Sequence, residues 1–85
     1  MNSTNTAHAS TPLFVAARDA RSEYLNRSQP HAYRLGAMAW CLAFRSAAFA
    51  ACGDDVLAES WGEQAIIYAK LAKMEGAEIA DYTAA

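Results

Sequence analysis

Carboxylates are missing from the whole stretch between His31 and Cys52, whose only charged groups are Arg34 and Arg45. It reads HAYRLGAMAWCLAFRSAAFAAC, with alanine at eight positions and Tyr33, Leu35, Met38, Trp40, Leu42, Phe44 and Phe49 spread among them. A helix that is apolar all round has to be covered on several sides. That excludes a surface helix bathed in solvent and makes this segment the expected central post of a small helical protein. Cysteine occurs twice, too rarely for a disulfide scaffold. Cys41 and Cys52 on one helix would stand roughly 16 Å apart at ~1.5 Å per residue, whereas a bridge needs Cα atoms within about 7 Å. Both are expected as small buried hydrophobes in a reducing compartment.

Histidine is equally scarce. His8 and His31 have no cysteine or acid at ligand spacing, which excludes the close ligand pairs of a structural zinc site. The glycines Gly36, Gly53, Gly62 and Gly76 never cluster into a phosphate loop. Ser46 and Ser60 have no histidine near in sequence, and Cys41 has only Arg45 one turn away to favour a thiolate. Glu59 with Glu63, and Asp19 with Glu23, are pairs one turn apart, but the Glu-x-x-His partner of a bundle metal site is absent. The expectation is a non-enzyme without metal or cofactor, whose paired acids are solvated helix faces.

The first residues, MNSTNTAHASTP, carry neither a basic region nor an apolar run, so no secretory signal is read there. The length of 31–52 nearly suffices for a membrane span of ~20 residues. Arg45 would then lie deep in the bilayer, at about 2.5–3.5 kcal/mol on the insertion scale. No membrane association and a cytoplasmic location are expected.

With 85 residues the chain makes one domain, and domains this small bury only about 60% of the surface they expose when unfolded. The net charge of −2 conceals an asymmetry. Residues 1–53 hold five arginines against two acids, +3, and residues 54–85 hold two lysines against seven acids, −5. Complementation of the two halves across a helix pair is the expected use.

Residues 1–10 are polar, small and aperiodic and are expected as a disordered tail. Residues 11–85 form a single helical domain. Thr11-Pro12 is a helix start, a hydroxyl cap followed by proline at the first helical position. Leu13, Ala17, Ala20 and Tyr24 then recur at helical spacing as a buried stripe to about Arg27, widened by Phe14 and Leu25, and Glu23 precedes Arg27 in the favourable i,i+4 order. Ser28-Gln29-Pro30 breaks the chain and caps a second helix that ends at Gly53. Along it Ala32, Gly36, Ala39, Ala43, Ala47 and Ala50 form a small-residue face for close helix approach. Asp54-Asp55 caps the third helix, where Leu57, Trp61, Ala65, Tyr68 and Ala72 form the inner stripe and Gly62 lets helix two pass close. Gly76 either ends it, leaving Ala77–Tyr82 as a final turn, or is run through. The fold predicted is all-α, a small antiparallel three-helix bundle with helices at about 12–27, 30–52 and 55–75.

Functionally, three short helices have to cover nine aromatic rings. Arg34, Met38, Arg45, Phe49 and Cys52 fall on one line of helix two, and arginine mixed with large apolar groups is the composition of protein interfaces. Ile66 stands between Glu63 and Lys70 on the expected wet face, and Arg18 and Arg21 add to the surface. The alternative use of Arg34 and Arg45 is to snorkel over a closed core. A helix-turn-helix would place helix two in the major groove, but Tyr33, Leu35, Gly36 and Met38 offer little for base edges, and net negative charge opposes phosphate binding. The expected function is a non-catalytic protein-binding module that docks on a larger target or on itself. In size and lack of catalytic motifs it compares with stand-alone inhibitors of phage and mobile elements such as anti-CRISPR proteins, although no motif carries that comparison. The alternative is a nucleic-acid-associated regulator using Arg18, Arg21, Arg27 and Arg34.

Overall fold

The computed structural model describes residues 2–77, with side chains from Ser10 onward. Three helices follow in order: α1 (Asn2–Leu25), α2 (His31–Ala51) and α3 (Asp55–Met74). No strand occurs among the described residues. None of these helices is long and apolar enough to cross a membrane.

The start of α1 differs from the expectation. The helix runs through Pro12 instead of beginning at Thr11-Pro12. An interior proline forfeits one backbone hydrogen bond and crowds the preceding turn, so the local preference is for a stop. Tertiary contact overrides it, since Ser10, on the far side of the proline, is only 5% exposed. The expected disordered tail over residues 1–10 otherwise falls on side chains outside those described. At its other end α1 stops at Leu25, before Arg27. The Asn26 carboxamide oxygen accepts from the backbone N–H of Ser28 at 3.1 Å and from its hydroxyl at 2.6 Å, an Asx turn that competes with helix. Ser28 is thus committed to α1's exit and does not cap α2, whose N-cap is Pro30 with no side-chain bond.

The two remaining helix ends follow local chemistry closely. After α2, Gly53 takes φ +82°, its N–H bonds to the Ala50 carbonyl at 3.0 Å, and Asp54 N–H bonds to the Phe49 carbonyl at 2.9 Å. That is the paired closure of a Schellman turn. Asp54 simultaneously caps α3, its carboxylate accepting from Leu57 N–H at 3.1 Å. One residue therefore closes α2 and opens α3, which folds the two into a tight hairpin. Gly76, at φ +94°, ends α3 in the same way, with Ala77 N–H on the Ala72 carbonyl at 2.9 Å. The expected final turn beyond Ala77 lies outside the described residues.

Contacts at opposite ends of each pair make the bundle antiparallel. Phe14 meets Phe49 edge-on at 5.3 Å, and Arg34 reaches the Tyr24 carbonyl at 2.7 Å. Between α2 and α3, the Ser46 hydroxyl donates to the Ala58 carbonyl at 2.5 Å, and His31 approaches Glu75 at 4.0 Å. Both α1 and α3 pack on α2 and barely touch each other. The apolar segment is the central post.

The seam with α3 is built from Leu35, Ala39, Leu42, Ala65 and Ala72, flanked by half-buried Met38, Trp61 and Tyr68. On the side of α1 the buried residues are Ala17, Cys41 and Ala48. Of the small-residue face only Gly36 and Ala39 are buried, while Ala47 and Ala50 are exposed. Helix α3 sits on the line Leu35–Ala39–Leu42–Ser46, which is rotated from that face and shares only Ala39 with it. Gly62 does mark the close approach, because a Cβ there would lie 3.2 Å from Ser46 Oγ.

Two outcomes test this arrangement. Gly62→Val should destabilise by about 1–3 kcal/mol through overpacking against Ser46, read by urea unfolding; an unchanged midpoint would contradict the close crossing. Pro12→Ala should stabilise by on the order of 1–3 kcal/mol if proline is interior to α1. Thermal unfolding checks this, and a lower midpoint would return the helix start to Pro12.

Candidate functional site

Because α1 and α3 take different flanks of α2 without closing on one another, two concavities remain beside the central helix. The first is a cleft of about 330 Å³ lined by Phe14, Ala17, Arg18 and Arg21 of α1, Arg45 and Phe49 of α2, and Trp61 of α3. The Arg45 guanidinium lies over the Trp61 ring at 5.2 Å from its centroid, a cation–π contact that fixes the long side chain across the α2–α3 seam. Phe14 and Phe49 form the opposite wall. Arg18 and Arg21 stand exposed along α1. Arg18 Nε comes within 3.8 Å of Asp19, but both side chains are about 70% exposed and water screens the pair. No carboxylate lines the cleft.

Four of the seven residues singled out in the sequence thus meet in one place: Arg18, Arg21, Arg45 and Phe49. The other three lie elsewhere. Met38 is half-buried against the α2–α3 core. Arg34 is held at the far end of α1, where Nε bonds the Tyr24 carbonyl and the guanidinium lies 5.5 Å from the Tyr24 ring. It braces two helices. Ile66 is exposed on α3 and lines neither concavity. By spacing Phe14 and Trp61 belong to the inner stripes of their helices, and nothing in either stripe alone tells that both edges face the same gap.

The second concavity is a groove of about 650 Å³ between α1 and α2, opening on another side of α2. Its floor is small: Ala16, Ala20, Ala32, Gly36 and Ala37. Trp40 and Phe44 stack at 5.4 Å along one wall, and Asp19 and Glu23 form the α1 rim. Tyr33 donates its hydroxyl to Glu23 at 2.5 Å. That hydrogen bond to the carboxylate raises the Tyr33 pKa above the ordinary tyrosine value. Glu23 is thereby engaged by α2 and not by Arg27. Sequence reading gave this groove no role.

The expected pairing of the arginines with the acidic C-terminal third is not what the described residues show. Arg34 and Arg45 contact Tyr24 and Trp61, and the basic side chain that approaches an acid of that third is His31, 4.0 Å from Glu75. Among the described residues no group of three or more His, Cys, Asp or Glu is placed to hold a metal ion. Cys41 is buried as expected, whereas Cys52 is exposed because it is the C-cap of α2, outside the seams.

These features define an all-α three-helix bundle with an arginine–aromatic cleft. Compared with protein-family models, with curated proteins and with solved structures, the chain matches none.

The two thiols provide a direct check on the placement of α2. Cys52 should react rapidly with an aromatic disulfide reagent in the folded protein, and Cys41 only at the rate of unfolding. Two fast thiols would contradict the buried position of Cys41.

Proposed function

We propose that the protein is a non-catalytic interaction module that docks on a larger protein through the arginine–aromatic cleft. The observation that carries this is the convergence of Arg18, Arg21 and Arg45 with Phe14, Phe49 and Trp61 around one opening without a carboxylate. Aromatic residues and arginine are the groups enriched where proteins bind tightly. The lining offers guanidinium donors and ring faces, which bind and orient. The complementary surface is an acidic patch carrying an apolar anchor for the space between Phe49 and Trp61. A small stand-alone inhibitor or adaptor of the anti-CRISPR kind works in this manner, by occupying a surface of its target.

A second reading draws on the same residues. Arginines interleaved with aromatic rings also suit single-stranded nucleic acid, whose bases stack and whose phosphates pair. Arg34, however, is tied to Tyr24 and does not join the cleft, which leaves fewer cations for a phosphate chain.

The experiment is capture of partners by the tagged full-length chain at low and high salt, comparing wild type with Arg45→Glu and Glu59→Ala. A single stoichiometric protein should survive high salt, lose at least tenfold in affinity (about 1.4 kcal/mol) with Arg45→Glu, and be insensitive to Glu59→Ala. Equal effects of the two substitutions would remove the cleft from the account. Nucleic acid released steeply by salt would favour the second reading.

A further inference from the structure

We infer that the α1–α2 groove receives the outer face of α3 from a second copy of this chain, giving a two-fold dimer in which the arginine–aromatic clefts stay free. Among the described residues no helix covers the groove, because α3 lies on another flank of α2. Its floor of alanine and glycine carries nothing longer than a methyl group, so a helix can approach at the 8–10 Å typical of packed helices. Along α2 the lining runs from Ala32 to Phe44, about 18 Å at ~1.5 Å per residue. That is room for roughly three turns. Trp40 and Phe44 supply a wall for large apolar side chains, and Asp19 and Glu23, one turn apart on α1, give the rim a negative charge.

The chain itself carries the complementary element. Ile67, Leu71 and Met74 recur at i, i+4 and i+7 on α3 and are 50%, 41% and 79% exposed. Such a stripe is turned from the inner line of Trp61, Ala65, Tyr68 and Ala72 and is not among the residues packed against the core. Lys70 borders it, whereas Lys73 and exposed Ile66 stand on the other flank of α3. Apolar stripe meets small-residue floor, and Lys70 meets the acidic rim. Glu63 lies one turn before Ile67 and would repel Asp19 and Glu23, which fixes the register: the C-terminal half of α3 enters and Glu63 stays outside.

Placement also favours a closed dimer over a chain of copies. The end of α3 is already beside the groove of its own chain, since Ala77 lines it and Glu75 approaches His31 at the start of α2. A two-fold axis passing near that point lets each α3 enter its partner's groove, so that one self-complementary contact closes the assembly.

The test is sedimentation equilibrium of the full chain, with far-ultraviolet circular dichroism to verify folding of each variant. Wild type should dimerise with a dissociation constant below about 100 µM. Asp19→Lys/Glu23→Lys and Lys70→Glu should each weaken it at least tenfold, and mixing the two variants should restore a 1:1 heterodimer. Leu71→Asp, on an exposed position, should abolish dimerisation if the rim variants fold poorly. Arg45→Glu should leave the dimer intact, so failure of this inference and failure of the cleft reading give different results. A wild-type monomer at about 100 µM would overturn the proposal and leave the groove to another protein's helix or to residues 78–85, which follow Ala77. A ladder of species growing with concentration, or a dimer indifferent to all three changes, would overturn it too.

Discussion

The contact on which everything else depends is alanine against alanine. Ala39 and Ala72 are fully buried at the α2–α3 seam with Ala65 beside them, and Ala17 and Ala48 are fully buried toward α1. Alanines at these points bring the helix axes close, and close axes leave room for Leu35 and Leu42 in the seam but not for the aromatic rings. Trp40, Phe44, Phe49 and Trp61 are therefore pushed to the edges of the seams, where they are half-buried. The price of close packing is surface: the rings that would fill the core of a wider bundle line its grooves instead.

Charge follows the same geometry. Arg34 and Arg45 arise from the one helix without carboxylates, and each covers an aromatic ring of a flanking helix, Tyr24 and Trp61 respectively. Each spans a seam, so each cation also contributes to holding two helices together. The difference lies in what surrounds them. Arg34 is consumed by the Tyr24 carbonyl. Arg45 opens on a cleft shared with Arg18 and Arg21. The acids Asp19 and Glu23 occur on the neighbouring face of α1, so the two concavities flanking α2 have opposite rims. A bundle with one basic and one acidic opening is suited to holding two different surfaces at once.

Much of the fold was legible because it is written in local chemistry. Gly53 and Asp54 mark the α2–α3 turn by a left-handed glycine and a capping carboxylate, and both act as their types require. The carboxylate-free run named the central helix, and Gly62 named a point of close approach. The start of α1 was illegible, because burial of Ser10 overrides the stop signal of Pro12. The small-residue face misled for a related reason: a helical wheel ranks faces by size, but the direction from which α3 arrives is set by the Gly53–Asp54 hairpin. Half of the cleft was likewise visible from one helix alone. Phe14 and Trp61 join it only through the antiparallel register, which no periodicity within a single helix contains.

The whole arrangement depends on α2 being the shared post, with α1 and α3 each seated on it at buried alanines and nearly out of contact with one another. Nuclear Overhauser measurements on the chain labelled at alanine methyls test this most directly. Cross-peaks are expected linking Ala39 with Ala65 or Ala72, with none joining Ala16 or Ala20 of α1 to the methyls of α3 within one chain. Strong intramolecular cross-peaks between α1 and α3 would show a bundle closed over the groove, and would contradict both the open faces and the roles built on them.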